Sequence, residues 1–193
     1  SSTDKWIKYE DDEDYDNVIL QSFDLALRKF IVAVSKDTTI KDSDYLKNAE
    51  GTYTRAPKVD TSKLNTTDEN GKMITTAIYN HPKTPVSVAI GDLVEYTIRV
   101  YNEAEIDGYV EEITDHLPDQ LEFIVDDQVN IEYGWKIASS TDLKTIKKEY
   151  LSKANETTDG ANKISAFNGT TLAYKDVKIK CRVVATDPMA DKI

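Results

Sequence analysis

An all-β, antiparallel β-sandwich is the fold class this sequence predicts, on three observations. Apolar and polar residues alternate with a period of two along several stretches, turn-forming residues separate them, and only one stretch has helical spacing. Many short strands with little helix favour two packed antiparallel sheets, with loop insertions and at most one short helix.

The first strand is FDLALRKFIVAV, residues 23–34. Side chains alternate between the faces of a strand, so Phe23, Leu25, Leu27, Lys29, Ile31 and Ala33 are expected on one face. That places an ammonium among core residues. Residues 37–85 are rich in Asp, Thr, Asn and Lys, with turn signals at Asn70-Gly71 and His81-Pro82, and read as loops with one or two short strands. In VSVAIGDLVEYTIRVYNE, Val94, Tyr96, Ile98 and Val100 alternate with Glu95, Thr97 and Arg99, the period of a half-buried antiparallel strand. Gly91-Asp92 supplies the turn before it, and Ile106-Asp107-Gly108 the turn after it.

Alternation resumes in YVEEITDHLPDQLEFI, with Ile113, Asp115 and Leu117 on one face and Glu112, Thr114 and His116 on the other. Here an aspartate takes a core position. Val129, Ile131, Tyr133, Trp135 and Ile137 predict another strand. Lys175, Val177, Ile179, Cys181 and Val183 predict a last one, in which Cys181 is a small buried hydrophobe rather than a nucleophile. Only residues 141–153 fit a helix, through Leu143, Ile146, Lys147, Tyr150 and Leu151, and the same stretch also fits a β-hairpin.

Composition removes several function classes. The chain has 193 residues, enough to bury a substantial core without staples. Asp plus Glu number 35 against 24 Lys plus Arg, whereas a phosphate backbone calls for clustered basic residues, so nucleic acid is not an expected partner. Cys181 is the only cysteine, which excludes an internal disulfide and a paired-cysteine zinc site. No apolar run approaches a bilayer span, so no membrane contact is expected of this stretch, and SSTDKW reads as a fragment boundary. YEDDEDYDN, residues 9–17, lacks the spacing of a calcium loop and reads as solvated linker. Residues 1–21 are accordingly expected to be an acidic interdomain linker and residues 22–193 a single β-sandwich domain.

Signatures of a conventional enzyme are missing: there is no Gly-rich phosphate loop, no GxSxG and no HExxH. His81 and His116 are isolated. Glu111-Glu112 and Asp126-Asp127 are adjacent strand residues whose side chains point to opposite faces, unlike paired glycosidase acids. Neither a cofactor nor a metal is expected, and turnover of an external substrate is not.

Parity leaves Lys29 and Asp115 on the apolar faces of two different strands. One reading is a buried salt bridge, or a lysine snorkelling at a strand end. The other is chemical: burial lowers a lysine pKa and raises an aspartate pKa, so the two can exist as amine and acid. With an Asn carboxamide beside them, the acid polarises the C=O, the amine attacks, ammonia leaves, and an isopeptide bond remains.

FDLALRKF, followed by IGDLVEYTIRVYNEAEIDGYVEEITDHLPDQLEF, resembles the repeated Ig-like β-sandwich domains of Gram-positive surface and fimbrial proteins that form internal Lys–Asn isopeptide bonds, near the collagen-adhesin type. The likeness spans residues 23–31 and 90–124 and, more weakly, 172–193. It implies that Lys29 is the isopeptide amine and Asp115, shortly before an LP turn, the proton-sharing acid. In such domains the Asn lies in a final strand with a pattern like I-x-N-x-A, and this sequence reaches Ala190-Asp191-Lys192-Ile193 without it. The Asn is therefore expected beyond Ile193, the final strand is expected to be missing, and one sheet edge is expected to be open. Asn162 and Asn168 are the nearest alternatives in sequence. The resemblance further implies a module of a cell-wall-anchored, extracellular protein whose partners are neighbouring repeats of the same polypeptide. An alternative is an adhesin module that binds a host matrix protein or glycan through Tyr45, Tyr53 and Tyr79 of the irregular segment.

Overall fold

Strands of eleven or twelve residues with β-branched and aromatic side chains build the frame of the domain. The computed structural model describes residues 24–37 and 50–184. In chain order the elements are β1 (Leu25–Lys36), β2 (Gly51–Thr52), β3 (Lys58–Asp60), β4 (Ile78–Asn80), β5 (Asp92–Asn102), β6 (Ile113–His116), β7 (Leu121–Phe123), α1 (Gln128–Glu132), β8 (Lys136–Ser139), β9 (Asp142–Lys148) and β10 (Tyr174–Val183). Every pairing is antiparallel, and the fold is all-β. One sheet runs β2-β1-β5-β10-β7, a second runs β6-β9-β8, and β3 and β4 form a separate hairpin.

Side chains of both larger sheets meet in one core. Val94, Ile98 and Val100 of β5 and Val177, Ile179, Cys181 and Val183 of β10 share it with Ile113 of β6 and Ile146 of β9. Burying a side chain such as Ile146 or Ile179 contributes about 2 kcal/mol. Cys181 is fully buried, as alternation predicts.

The opposite face of the first sheet is covered rather than solvated. Thr97 and Tyr101 of β5 are buried there, beneath a ladder of rings and guanidinium groups. Arg28 lies 3.8 Å from the Tyr79 ring centre, Tyr79 packs on Tyr101, Tyr101 on Tyr174, and Arg99 stacks 3.7 Å over Tyr174 while bonding both oxygens of Asp176. The half-buried strand expected at β5 is thus a strand with two covered faces. Residues 50–85 supply part of that cover, because Tyr79 comes from β4.

Three expectations are corrected. Register shifts between Ile31 and Ala33, so the extra residue Val32 reverses the alternation, and Val34 rather than Ala33 joins Val94 in the core. The strand expected over Val129–Ile137 is instead α1 followed by the start of β8. Asp127 caps the helix by accepting a hydrogen bond from the Val129 amide, Gly134 at φ +67° ends it, and the fully buried Asn130 anchors it to β10. The helix expected over residues 141–153 is not formed. Nor does the stretch form a hairpin within itself: its one strand, β9, pairs with the preceding β8, and a short 3-10 turn follows at Lys153–Asn155.

On the side away from β5, β1 pairs with β2 at Ala33 and Val34 alone, and Val32 O accepts the Tyr53 amide. Among the described residues no strand pairs with residues 25–31 along that edge. Leu27 sits there on the core-facing side yet is 43% exposed. Phe23, Tyr45, the expected linker over residues 1–21 and the last residues from 185 to 193 lie outside the described residues. No helix of the described residues is long and apolar enough to cross a membrane.

Candidate functional site

Lys29 and Asp115 are 86 residues apart and belong to different sheets, and the fold brings them into contact: Lys29 Nζ lies 2.5 Å from Asp115 Oδ2. Each is positioned by its strand's alternation. Lys29 stands opposite the buried Ile98 in the β1–β5 ladder, on the face that carries Leu25 and Ile31. Asp115 stands opposite Ile146, between the buried Ile113 and Leu117.

Tyr96 completes the floor. Its ring centre is 4.7 Å from Lys29 Nζ, and Ile31 is its direct partner across the ladder. Burial, and after it the neighbouring Cys181 and Asp115, push the Tyr96 phenol well above its ordinary pKa, so it stays neutral. The pair lies nearer the surface than parity alone suggests: 28% of the Lys29 side chain and 14% of the Asp115 side chain are exposed. Both lie beside the edge of β1, over residues 25–31, that no strand among the described residues pairs.

Neither Asn162 nor Asn168 is used at this pair. The Asn162 amide donates to Tyr150 O and Ser152 O, and the Asn168 side chain closes a turn by accepting from the Thr170 and Thr171 amides. Both carboxamides serve local loop structure.

The two tyrosines of the irregular segment that are described turn inward. Tyr79 donates to the buried Glu103 carboxylate at 3.0 Å, and burial and then Glu103 raise its phenol pKa. Tyr53 packs against the core. Tyr45 lies outside the described residues.

Sequence reasoning missed one lysine. Lys148, on β9, is only 3% exposed, and its Nζ has no hydrogen-bond partner. The apolar residues around it also fit helical spacing, which hides the inward direction that strand alternation gives it. Among the described residues no group of three His, Cys, Asp or Glu side chains is placed to hold a metal ion.

Comparison of the chain with family models, with curated proteins and with solved structures finds no match. The functional reading rests on the geometry and the sequence of this chain.

Proposed function

We infer that this chain is a structural module of a Gram-positive surface or fimbrial protein, of the collagen-adhesin-like sandwich type, in which Lys29 and Asp115 make an intramolecular isopeptide bond to an Asn outside the described residues. The observation that carries the reading is the 2.5 Å Lys29–Asp115 contact beside an edge of β1 that, over residues 25–31, no strand among the described residues pairs. A final strand laid along residues 25–31 would bring a carboxamide over both groups.

The chemistry needs no cofactor. A proton moves from Nζ to Oδ2, leaving an amine and an acid. The acid then hydrogen-bonds the Asn C=O, and the Nζ lone pair adds to the carbonyl carbon. Loss of the side-chain nitrogen as ammonia leaves the amide cross-link. A single turnover of this kind is self-modification rather than enzymatic catalysis. The bond would constrain the unfolded chain as a disulfide does, without an oxidising compartment, in a chain with one buried cysteine. An extracellular, wall-anchored repeat array under tension is the setting that benefits, and neighbouring repeats are its expected partners. The inward packing of Tyr53 and Tyr79 gives the ligand-binding alternative no support.

Intact mass tests the proposal on this chain and on the full natural polypeptide that contains it, each as wild type and as Lys29→Ala. The expected result is a loss of one ammonia in the full wild-type polypeptide and none in its Lys29→Ala variant. A loss in both wild-type chains moves the Asn inside residues 1–193. No loss in either makes Lys29–Asp115 an ordinary ion pair and ends the proposal.

A further inference from the structure

Lys148 is more deeply buried than Lys29. It lies opposite Ile113 in the β6–β9 ladder and next but one to the fully buried Ile146, so alternation drives it into the interior. No carboxylate meets it there. Its Nζ is instead surrounded by rings, with centres at 4.1 Å for Tyr150, 4.8 Å for Tyr133 and 5.3 Å for Trp135. Tyr133 and Tyr150 pack on each other at 5.1 Å, and the Trp135 indole donates to Lys178 O, which fixes the cage.

A cavity of about 530 Å³ adjoins this cage, lined by Gly134, Lys136, Lys148, Glu149, Tyr150 and Asn155. That volume suits a small organic molecule. Lys136 and Glu149 place one charge of each sign on its wall, so it has no strong preference for an anion. Tyr150 is the most exposed of the three rings, at 41%, and borders both cage and cavity. Displacement of that ring, 4.1 Å from Nζ, is the route we assign between cavity and amine.

An ammonium without hydrogen bonds is costly in such a place, and the group responds by giving up its proton. Burial lowers the Lys148 pKa from 10.5 to about 7. The electron-rich ring faces offset part of that effect. A desolvated lysine in an apolar pocket is the usual physical source of a nucleophilic amine at neutral pH.

We propose that Lys148 is a reactive amine that captures small aldehydes entering the cavity beside it. The Nζ lone pair adds to the carbonyl carbon, the carbonyl oxygen takes up a proton to give a carbinolamine, and loss of water leaves an imine. Amine and aldehyde become imine and water, with no oxidant or reductant. This site is separate from Lys29 and Asp115, and its test does not depend on the cross-link.

The folded full chain is exposed briefly to propanal with cyanoborohydride, which reduces any imine to a stable secondary amine, and the modified lysines are mapped by peptide mass. Lys136, exposed in the same cavity, and Lys58, exposed on β3, serve as internal references. Near neutral pH, Lys148 is expected to react at least about tenfold faster than either, an advantage that fades toward pH 10.5 as ordinary lysines lose their protons. Tyr150→Ala is expected to raise the Lys148 rate several-fold. Labelling of Lys148 no faster than Lys58, or only after unfolding in urea, overturns the proposal. Fast labelling that Tyr150→Ala leaves unchanged overturns the entry route.

Discussion

Replacing Lys148 by methionine removes a buried amine while keeping an unbranched side chain of similar reach, and the structure sets the size and sign of the result. The lysine pKa falls from 10.5 to about 7 on folding, with burial as the cause. At 1.36 kcal/mol for each tenfold step, this amounts to roughly 5 kcal/mol against the charged form. Because the folded pKa lies below the unfolded one, the unfolded chain binds the extra proton between those values, and stability rises with pH across that window. The penalty is complete below about pH 7, shrinks as the pH rises, and is absent above pH 10.5. The advantage of Lys148→Met over wild type is therefore expected to be roughly 5 kcal/mol larger at low pH than near the unfolded lysine pKa. Urea unfolding of both proteins, followed by tryptophan fluorescence at several pH values, measures this difference. Subtracting the two proteins at each pH removes the groups that titrate equally in both. A variant no more stable than wild type at low pH would show that the cage stabilises an ammonium outright. A gain that does not change with pH would show that only packing had improved.

Two further substitutions probe how the site is held. Asn130→Ala removes two hydrogen bonds to Ile124 O and Lys180 O and one from the Lys180 amide, all in a fully buried place, so a loss of roughly 2–4 kcal/mol is expected in urea unfolding. A loss too small to resolve would mean that water or a rearranged α1 replaces these bonds. Gly134→Ala puts a Cβ where nothing lies within 4 Å, so crowding contributes nothing and the φ of +67° alone is expected to cost about 1 kcal/mol. Thermal unfolding reads this directly, and a stabilised variant would refute the left-handed turn.

What could be read in advance depended on whether one local rule decided the position. Alternation alone put Lys29 and Asp115 on inward faces, because both lie in short uninterrupted runs where parity survives. Four residues beyond Lys29 the same rule fails at Ala33, since one bulged residue reverses every later side chain and leaves no mark in composition. At residues 128–137 the apolar spacing imitates a strand, yet Asp127, the buried Asn130 and Gly134 decide for a helical turn through hydrogen bonds to β10 that only the folded chain supplies. Lys148 was hidden for a related reason. Its neighbours satisfy both a 3.6-residue and a two-residue period, and the choice between them rests on pairing with β6 and β8. Composition carries no trace of the outcome, because the chain has many surface lysines and burial of this one emerges only when Tyr133, Trp135 and Tyr150 close around it. Lys29 and Lys148 thus part company on what faces them. Lys29 meets an acid beside a strand edge that no described strand pairs over residues 25–31, the contact on which the proposed cross-link rests. Lys148 meets only rings and a cavity, which suits an amine that works alone.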